Sequence, residues 1–293
     1  MIRTNTALFG VALQLSALVL FVCMDTVFKL MTTHLPVAQL AWARFFFSSV
    51  TVWLFFWVTT GGRPPWRARA PVMQAARSLT LAGCTAFFTS SLVFLPLADA
   101  TAVNFAAPLL SVAAAALVLK EAVGPRRWLG VALGLLGVLL AVRPPFITGG
   151  APAHPAYLLP LGSAILFAVY AILTRKLAGR DDPRTTILHT GMAATLAFSL
   201  ALPFFWVWPN PLEWLALVSL GVIGGASHGL LVLAYARAPV SLLAPLSYTQ
   251  LVWAGIAGWL VFDQLPDRWT LAGAAVIFAG GLLAVIPARN RRD

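Results

Sequence analysis

Charged residues are scarce in this sequence. Asp, Glu, Lys and Arg make up 10% of its 293 residues, whereas a soluble domain has about 25%. Because so few charges cannot cover a surface in water, the composition excludes an ordinary soluble domain. With 60% hydrophobic residues, the chain is instead typical of a polytopic membrane protein.

Cysteines and the common catalytic motifs are also scarce or missing. The two cysteines, Cys23 and Cys84, lie inside apolar runs, and they form neither a metal-site spacing nor a disulfide framework. The sequence has no GxxxxGK(S/T) phosphate loop and no HExxH or paired CxxC motif. We therefore expect no enzyme activity, no cofactor, no metal and no ATP-driven pumping in this chain.

Long apolar runs fill most of the sequence. A membrane-spanning helix needs about 20 mostly apolar residues, and breaks at charges, prolines and glycine clusters leave ten such runs. The predicted fold class is therefore an all-α polytopic membrane protein with ten transmembrane helices. The predicted spans are 8–30, 36–58, 71–94, 100–119, 126–143, 157–177, 185–206, 213–236, 240–262 and 268–287.

The positive charges are distributed unequally between alternate loops. The net charge is +11, and sixteen of the twenty Lys and Arg residues fall on one side of the predicted spans, with three on the other. Since Lys and Arg accumulate in cytoplasmic loops, both termini are predicted to be cytoplasmic, in a bacterial-type inner membrane. Charges placed in this way indicate topology rather than nucleic-acid binding. Membrane lipids and a small-molecule substrate are the expected partners, and a monomer is compatible with the pattern.

The sequence contains an internal repeat. Shifting 96–142 by 143 positions places it on 239–285 without a gap, and the early parts of the two halves match at an offset of 147. Five helices per half is an odd number, so the second half must be inverted in the membrane. We predict two five-helix repeats, 1–147 and 148–293, of the kind that secondary transporters use to bind substrate between them. The matched residues include Pro96 with Pro239, Gly130 with Gly273, and Gly137 with Gly280.

Three segments carry a resemblance to a known family. They are the PVAQLAWARFFF segment with its Arg44, the LKE break at 119–121, and the glycine run from Gly130 to Gly137. With the two five-helix halves, they resemble the drug/metabolite transporter superfamily, and specifically EamA-type permeases. The resemblance implies a transporter, with exporters of amino acids, including aromatic ones, as the most similar members. The second half departs from the pattern, since Gln264 stands where Glu121 stands and Gly191 where Arg44 stands.

Ionisable residues inside predicted spans are expensive and usually functional. Asp25 and Lys29 are four residues apart, so they share a helix face and can pair. The predicted depths of Asp25 and Arg44 differ by roughly 6 Å, which a long arginine side chain can bridge. Asp25 and Arg44 are candidates for an extracellular gate or a substrate-carboxylate anchor. The alternative is a fixed structural ion pair, or an arginine that binds helix-end carbonyls.

A cluster of polar residues near the start of the ninth span is the main candidate substrate site. An apolar run is interrupted by Ser247, Tyr248 and Gln250. The repeat aligns Asn104 with Ser247 and Phe105 with Tyr248. Polar groups at equivalent depth in both halves are typical of a midplane site. The alternative is ordinary hydrogen bonding between helices.

Further candidates lie in other spans. His228, in a run of Gly and Ser, could accept a proton or bind substrate, or could be a core histidine bonded to a hydroxyl. Ser163 and Tyr170 share a helix face, and Trp42 lies deep enough to line a cavity. Candidate hinges are the prolines that precede or interrupt the fourth and ninth spans, namely Pro96, Pro108, Pro239 and Pro245.

The leading hypothesis from the sequence is a secondary transporter that exports small organic metabolites by alternating access. Amino acids, including aromatic or other apolar ones, are the expected substrates. Within transporters, the alternatives are an importer of a nucleoside-containing metabolite and an exporter of cationic drugs. A deep acidic residue facing the cavity would support a cationic substrate, and Asp25 is the candidate for it.

Overall fold

The computed structural model of this chain describes residues 2–118, 124–142, 154–238, 243, 246–247 and 249–285, which contain helices and no strand. Prolines occupy the first turn of several helices, where their missing N–H needs no partner, as at Pro71 and Pro183. The α-helices are α1 Ile2–Met31, α2 Val37–Thr59, α3 Pro71–Ser91, α4 Leu97–Asn104, α5 Ala106–Val118, α6 Pro125–Val142, α7 Leu158–Leu177, α8 Pro183–His189, α9 Met192–Ala201, α10 Pro211–Arg237, α11 Thr249–Phe262 and α12 Arg268–Val285.

Six helical stretches among the described residues are long and apolar enough to cross a membrane. Shorter apolar helices cover parts of the predicted fifth, ninth and tenth spans. The predicted third span is helical as α3, but Gln74, Arg77 and Ser78 make it more polar than the others. The multi-pass all-helical fold is thus confirmed, and the count of ten spans stays a prediction. The six stretches are Leu8–Met31, Val37–Thr59, Asp99–Val118, Pro155–Leu177, Pro183–Phe204 and Pro211–Arg237.

The two halves of the chain pack against each other in a reciprocal order. Helix α1 packs on α10, and α3, which corresponds to α10 in the repeat, packs on α7, which corresponds to α1. Helix α6 packs on its own counterpart α12, and α2 packs on α9. This order is the one expected of two equivalent halves. The inversion of the halves across a membrane and the boundary near residue 147 stay predictions.

Helices α6 and α12 approach so closely that backbone meets backbone. A Cβ atom added at Gly137 would lie 2.6 Å from the carbonyl oxygen of Gly273, and one at Gly280 would lie 2.7 Å from that of Gly130. The repeat exchanges these two contacts, because it matches Gly130 with Gly273 and Gly137 with Gly280. Small residues permit such close helix packing in membranes, so the aligned glycines have a structural reason.

Candidate functional site

A cavity lies between the two halves, among side chains of α1, α2, α3, α4, α5, α7, α10 and α11 and of Ser247, which precedes α11. Its empty volume is about 810 Å³, counting the space that opens to the surface. Nine of the residues predicted from the sequence line it, and they come from both halves. They are Asp25, Arg44, Asn104, Phe105, Pro108, Ser163, His228, Ser247 and Gln250.

Arg44 is the central cation of this cavity. Its Nη1 donates a hydrogen bond to Thr85 Oγ1, and its Nη2 lies 2.9 Å from His228 Nε2. Because a guanidinium group only donates, His228 Nε2 must accept, which places the ring proton on Nδ1. His228 is therefore an uncharged partner of Arg44 in this arrangement, and its ring also packs edge-on against Phe21 at 4.8 Å.

Asp25 faces the same cavity without forming the direct ion pair that the sequence suggested. No hydrogen bond or ion pair within 4.0 Å joins its carboxylate to another described residue, although the charge of Arg44 acts on it electrostatically. Arg44 is held instead by Thr85 and His228, from α3 and α10, which sequence separation alone does not reveal. The Asp25 side chain therefore has no protein hydrogen bond among the described residues that a ligand would have to replace.

One face of α1 runs along the cavity. Gln14, Leu18, Phe21 and Asp25 all line it, and their spacing of four, three and four residues repeats one helix face. From Gln14 to Asp25 the helix rises about 16 Å. The cavity is therefore elongated, with a carboxylate towards one end of α1 and a neutral amide towards the other.

The fourth predicted span is broken where it meets the cavity. Helix α4 ends at Asn104 and α5 begins at Ala106, with Phe105 between them at φ −70° and ψ 0°. Pro108 explains the break, because it has no N–H to donate to the carbonyl of Asn104 four residues earlier. The break turns the side chains of Asn104 and Phe105 to the cavity. Whether Pro108 acts as a hinge stays a prediction.

Polar groups with unused hydrogen-bonding capacity line the cavity. Gln14 Nε2 lies 3.3 Å from Ser247 Oγ, whereas Gln14 Oε1 and Asn104 Oδ1 are buried and accept no hydrogen bond among the described residues. Ser163 Oγ lies 3.2 Å from Cys84 Sγ. Buried polar atoms normally have partners, so the two free oxygens indicate positions that a ligand can satisfy.

Some predicted site residues lie elsewhere. Tyr170 is fully buried behind the cavity, with its hydroxyl 3.5 Å from His228 Nδ1. Trp42 joins α2 to α9, because its Nε1 donates to Ser199 Oγ at 3.0 Å, and its ring stacks on Phe46 of the same helix. Pro96 precedes α4. Tyr248, Pro239 and Pro245 lie outside the described residues.

Arg77 is a buried cation, although it is one of the sixteen Lys and Arg residues counted above on the cytoplasmic side of the predicted spans. It is 0% exposed in α3, so it is not a loop charge. Its guanidinium donates to Tyr170 Oη at 2.6 Å and also to second-half hydroxyls of α7 and next to α8, Thr174 Oγ1 at 2.7 Å and Thr190 Oγ1 at 3.0 Å. Only the unusual sequence of α3, polar for a membrane span, could have signalled this network.

A second polar cluster lies near the C-terminal ends of α1 and α3. Lys29 Nζ donates to the carbonyl of Leu95 at 2.9 Å and to Gln264 Oε1 at 3.2 Å. Close by, Asp99 accepts hydrogen bonds from Tyr157 Oη at 3.0 Å and Thr270 Oγ1 at 2.7 Å. Lys29 therefore joins the first half to the second, and it does not pair with Asp25.

Comparison with known proteins gives the site its context. The profile described as the EamA-like transporter family matches residues 8–143 and 154–286. The S-adenosylmethionine uptake transporter of Rickettsia prowazekii is 26% identical over 281 residues, covering 96% of this chain and 94% of the relative. The riboflavin transporter of Vibrio cholerae is 32% identical over 184 residues, covering 62% of this chain and 60% of the relative.

A solved crystal structure also resembles this chain. It superposes with a TM-score of 0.72 and 24% identity, over 99% of this chain and 100% of the other, and this supports a shared fold. Neither named relative supports the amino-acid export predicted from the sequence. The name S-adenosylmethionine uptake transporter agrees better with the alternative hypothesis, an importer of a nucleoside-containing metabolite, than with amino-acid export.

Proposed function

The chain belongs to the EamA-like transporter family, and from this membership and the cavity we propose that it is a secondary transporter that takes up a nucleoside-containing, positively charged metabolite of the S-adenosylmethionine type. In this proposal the two halves are inverted repeats, and the cavity between them opens alternately to the two sides of a bacterial inner membrane. Both termini are cytoplasmic.

The observation that carries the proposal is the carboxylate of Asp25. It is 7% exposed, lines the cavity and has no hydrogen-bond or ion-pair partner among the described residues. A carboxylate kept in such a place is costly unless something compensates it. The charge of Arg44 supplies part of that compensation without direct contact, and a sulfonium or ammonium group of the substrate would supply the rest, whereas a neutral or acidic substrate would not.

The remaining lining fits the other parts of such a molecule. Arg44 can bind a substrate carboxylate, since its guanidinium has five donors and only two contacts to hydrogen-bonding side chains are found among the described residues. Phe21, Phe88 and Phe167 add flat apolar surfaces on which a heteroaromatic ring can stack. Charged groups and aromatic rings thus occur in one cavity, as a zwitterionic nucleoside derivative requires.

Uptake of labelled S-adenosylmethionine into proteoliposomes tests this function. We expect saturable uptake that S-adenosylhomocysteine, a neutral thioether with the same remaining groups, inhibits more weakly. In Asp25→Asn the preference for the sulfonium over the thioether should fall on the order of 10-fold or more, because a charge interaction across a poorly screened site is lost.

Asp181→Asn is the matched control. Asp181 is also 7% exposed, but it binds Gln74 and the backbone of Arg69, outside the cavity. The substitution Asp181→Asn should therefore lower the stability of the protein and leave the preference for the sulfonium over the thioether unchanged. Absence of S-adenosylmethionine uptake would refute the proposal, and transport of hydrophobic cations alone would favour a drug exporter instead.

A further inference from the structure

We infer that Gln14 is a specificity-determining residue, whose free Oε1 accepts a hydrogen bond from an amino group on the ring end of the substrate. The inference rests on the proposed function and assigns the orientation of the substrate along α1. The charged amino-acid end lies at Asp25 and Arg44, and the nucleobase lies towards Gln14.

The orientation follows from where the charges are. Asp25 and Arg44 lie at one part of the cavity, and the α1 face carries no further charge down to Gln14. A sulfonium or a carboxylate moved towards Gln14 would leave water for neutral surroundings, at a large desolvation cost. The uncharged ring is the part of the substrate that can occupy this end.

The surroundings of Gln14 suit a nucleobase. Tyr235 lines the same cavity from α10 and offers an aromatic face, and bases are recognised by stacking together with hydrogen bonds to their edges. Ser247 lies 3.3 Å from Gln14 Nε2 and fixes that end of the amide. Oε1 is then directed away from Ser247, buried and without a partner among the described residues.

The hydrogen-bonding character of Oε1 decides which base is preferred. An amide oxygen accepts and cannot donate. The exocyclic amino group of adenine satisfies it, whereas the carbonyl oxygen at the same position of hypoxanthine leaves two acceptors face to face. A site built to bond one group rejects an analogue that lacks it, since its own buried polar atom is left unpaired.

The experiment compares two neutral competitors of S-adenosylmethionine that differ only in the base, S-adenosylhomocysteine and its deaminated inosine analogue. Their dissociation constants are measured from ligand-induced thermal shifts of the purified full-length protein, so the readout does not depend on transport. In the wild type we expect the adenine compound to bind about 10-fold more tightly. In Gln14→Met, which has a similar shape and no amide, the ratio should fall to about 1.

Two further variants keep the test decisive. Gln14→Asn retains an amide oxygen on a side chain shorter by one methylene and should keep part of the preference for adenine, so the test does not depend on the folding of Gln14→Met alone. Gln74→Met removes another buried amide with an unpartnered Oε1, which lies in α3 outside the cavity, and should lower stability without changing the ratio.

The outcomes separate the two proposals. Binding with a ratio unchanged in Gln14→Met overturns the assignment alone. A wild-type preference for the inosine compound that disappears in Gln14→Met means that the amide presents its N–H group, and this also overturns the acceptor assignment. If S-adenosylmethionine is not taken up and neither competitor binds, the proposed function fails and the assignment fails with it.

Discussion

The glycine contact between α6 and α12 can be tested by adding single methyl groups. In Gly137→Ala the new Cβ would lie 2.6 Å from both the Gly273 carbonyl oxygen and Ile277 Cγ1. In Gly280→Ala it would lie 2.7 Å from the Gly130 carbonyl oxygen. At each position the added methyl group meets backbone atoms of the other helix. Backbone atoms cannot rotate away as a side chain can, so the two helices must separate.

The size of the effect follows from these distances. Ordinary contact begins at 3.4 Å, so the helices must separate by about 0.8 Å to admit the methyl group at Gly137 and by about 0.7 Å at Gly280. Overpacking of this kind costs about 1–3 kcal/mol. Because the repeat exchanges the two contacts, the two single variants should be destabilised to a similar extent.

The double variant is the informative measurement. Once α6 and α12 have separated for one methyl group, much of the space for the second already exists, so the two losses should not add. We expect thermal unfolding in detergent to show a double-variant loss close to that of one single variant. Gly179→Ala is the control, since nothing lies within 4 Å of its added Cβ, and it should have little effect.

Strict additivity would contradict this reasoning, because it would mean that the two glycines control separate contacts. Wild-type stability in both single variants would contradict the close approach of the helices itself.

Three further predictions concern charges. Arg77→Lys should lose about 3 kcal/mol of stability, because one ammonium group cannot reach the acceptors that the guanidinium fork reaches; an Arg77→Lys melting curve equal to that of the wild type would contradict this. Reporter fusions at Asp293 and near Pro96 should report opposite sides, and a C-terminus outside the cytoplasm would refute the topology. Lys29→Met should raise the accessibility of the cavity to water-soluble reagents, since Lys29 links the two halves; unchanged labelling would show that this link closes nothing.

The helical fold could be predicted from the sequence because it depends on local patterns. Apolar runs of sufficient length predict the spans, and Pro108 predicts an interruption of the helix near the point where α4 ends and α5 begins. The repeat of Gly130 and Gly137 in the second half anticipates the close contact of α6 with α12. The first two signals lie in short stretches of chain and the third in the alignment of the two halves, so none of them requires knowledge of distant contacts.

The site could be predicted only in part, since its partners are distant in sequence. Asp25, Arg44 and His228, which stand out in the sequence by residue type, line one cavity, and their role in binding stays a prediction. The sequence could not show that Arg44 binds His228, 184 positions away, rather than Asp25. Nor could it show that Gln14 keeps a free acceptor, because hydrogen-bond satisfaction depends on the whole surrounding structure.

The two cysteines provide built-in chemical labels. Cys23 is exposed on α1, whose stretch Leu8–Met31 is long and apolar enough to cross a membrane, while Cys84 is a buried thiol in the cavity wall. A water-soluble maleimide can reach Cys84 only through the open cavity, and thiolates rather than thiols react. In the proposed transporter, the unmodified sequence therefore carries one thiol in the wall of the cavity and one exposed on an apolar helix, so labelling kinetics can follow the opening of the cavity without any engineered cysteine.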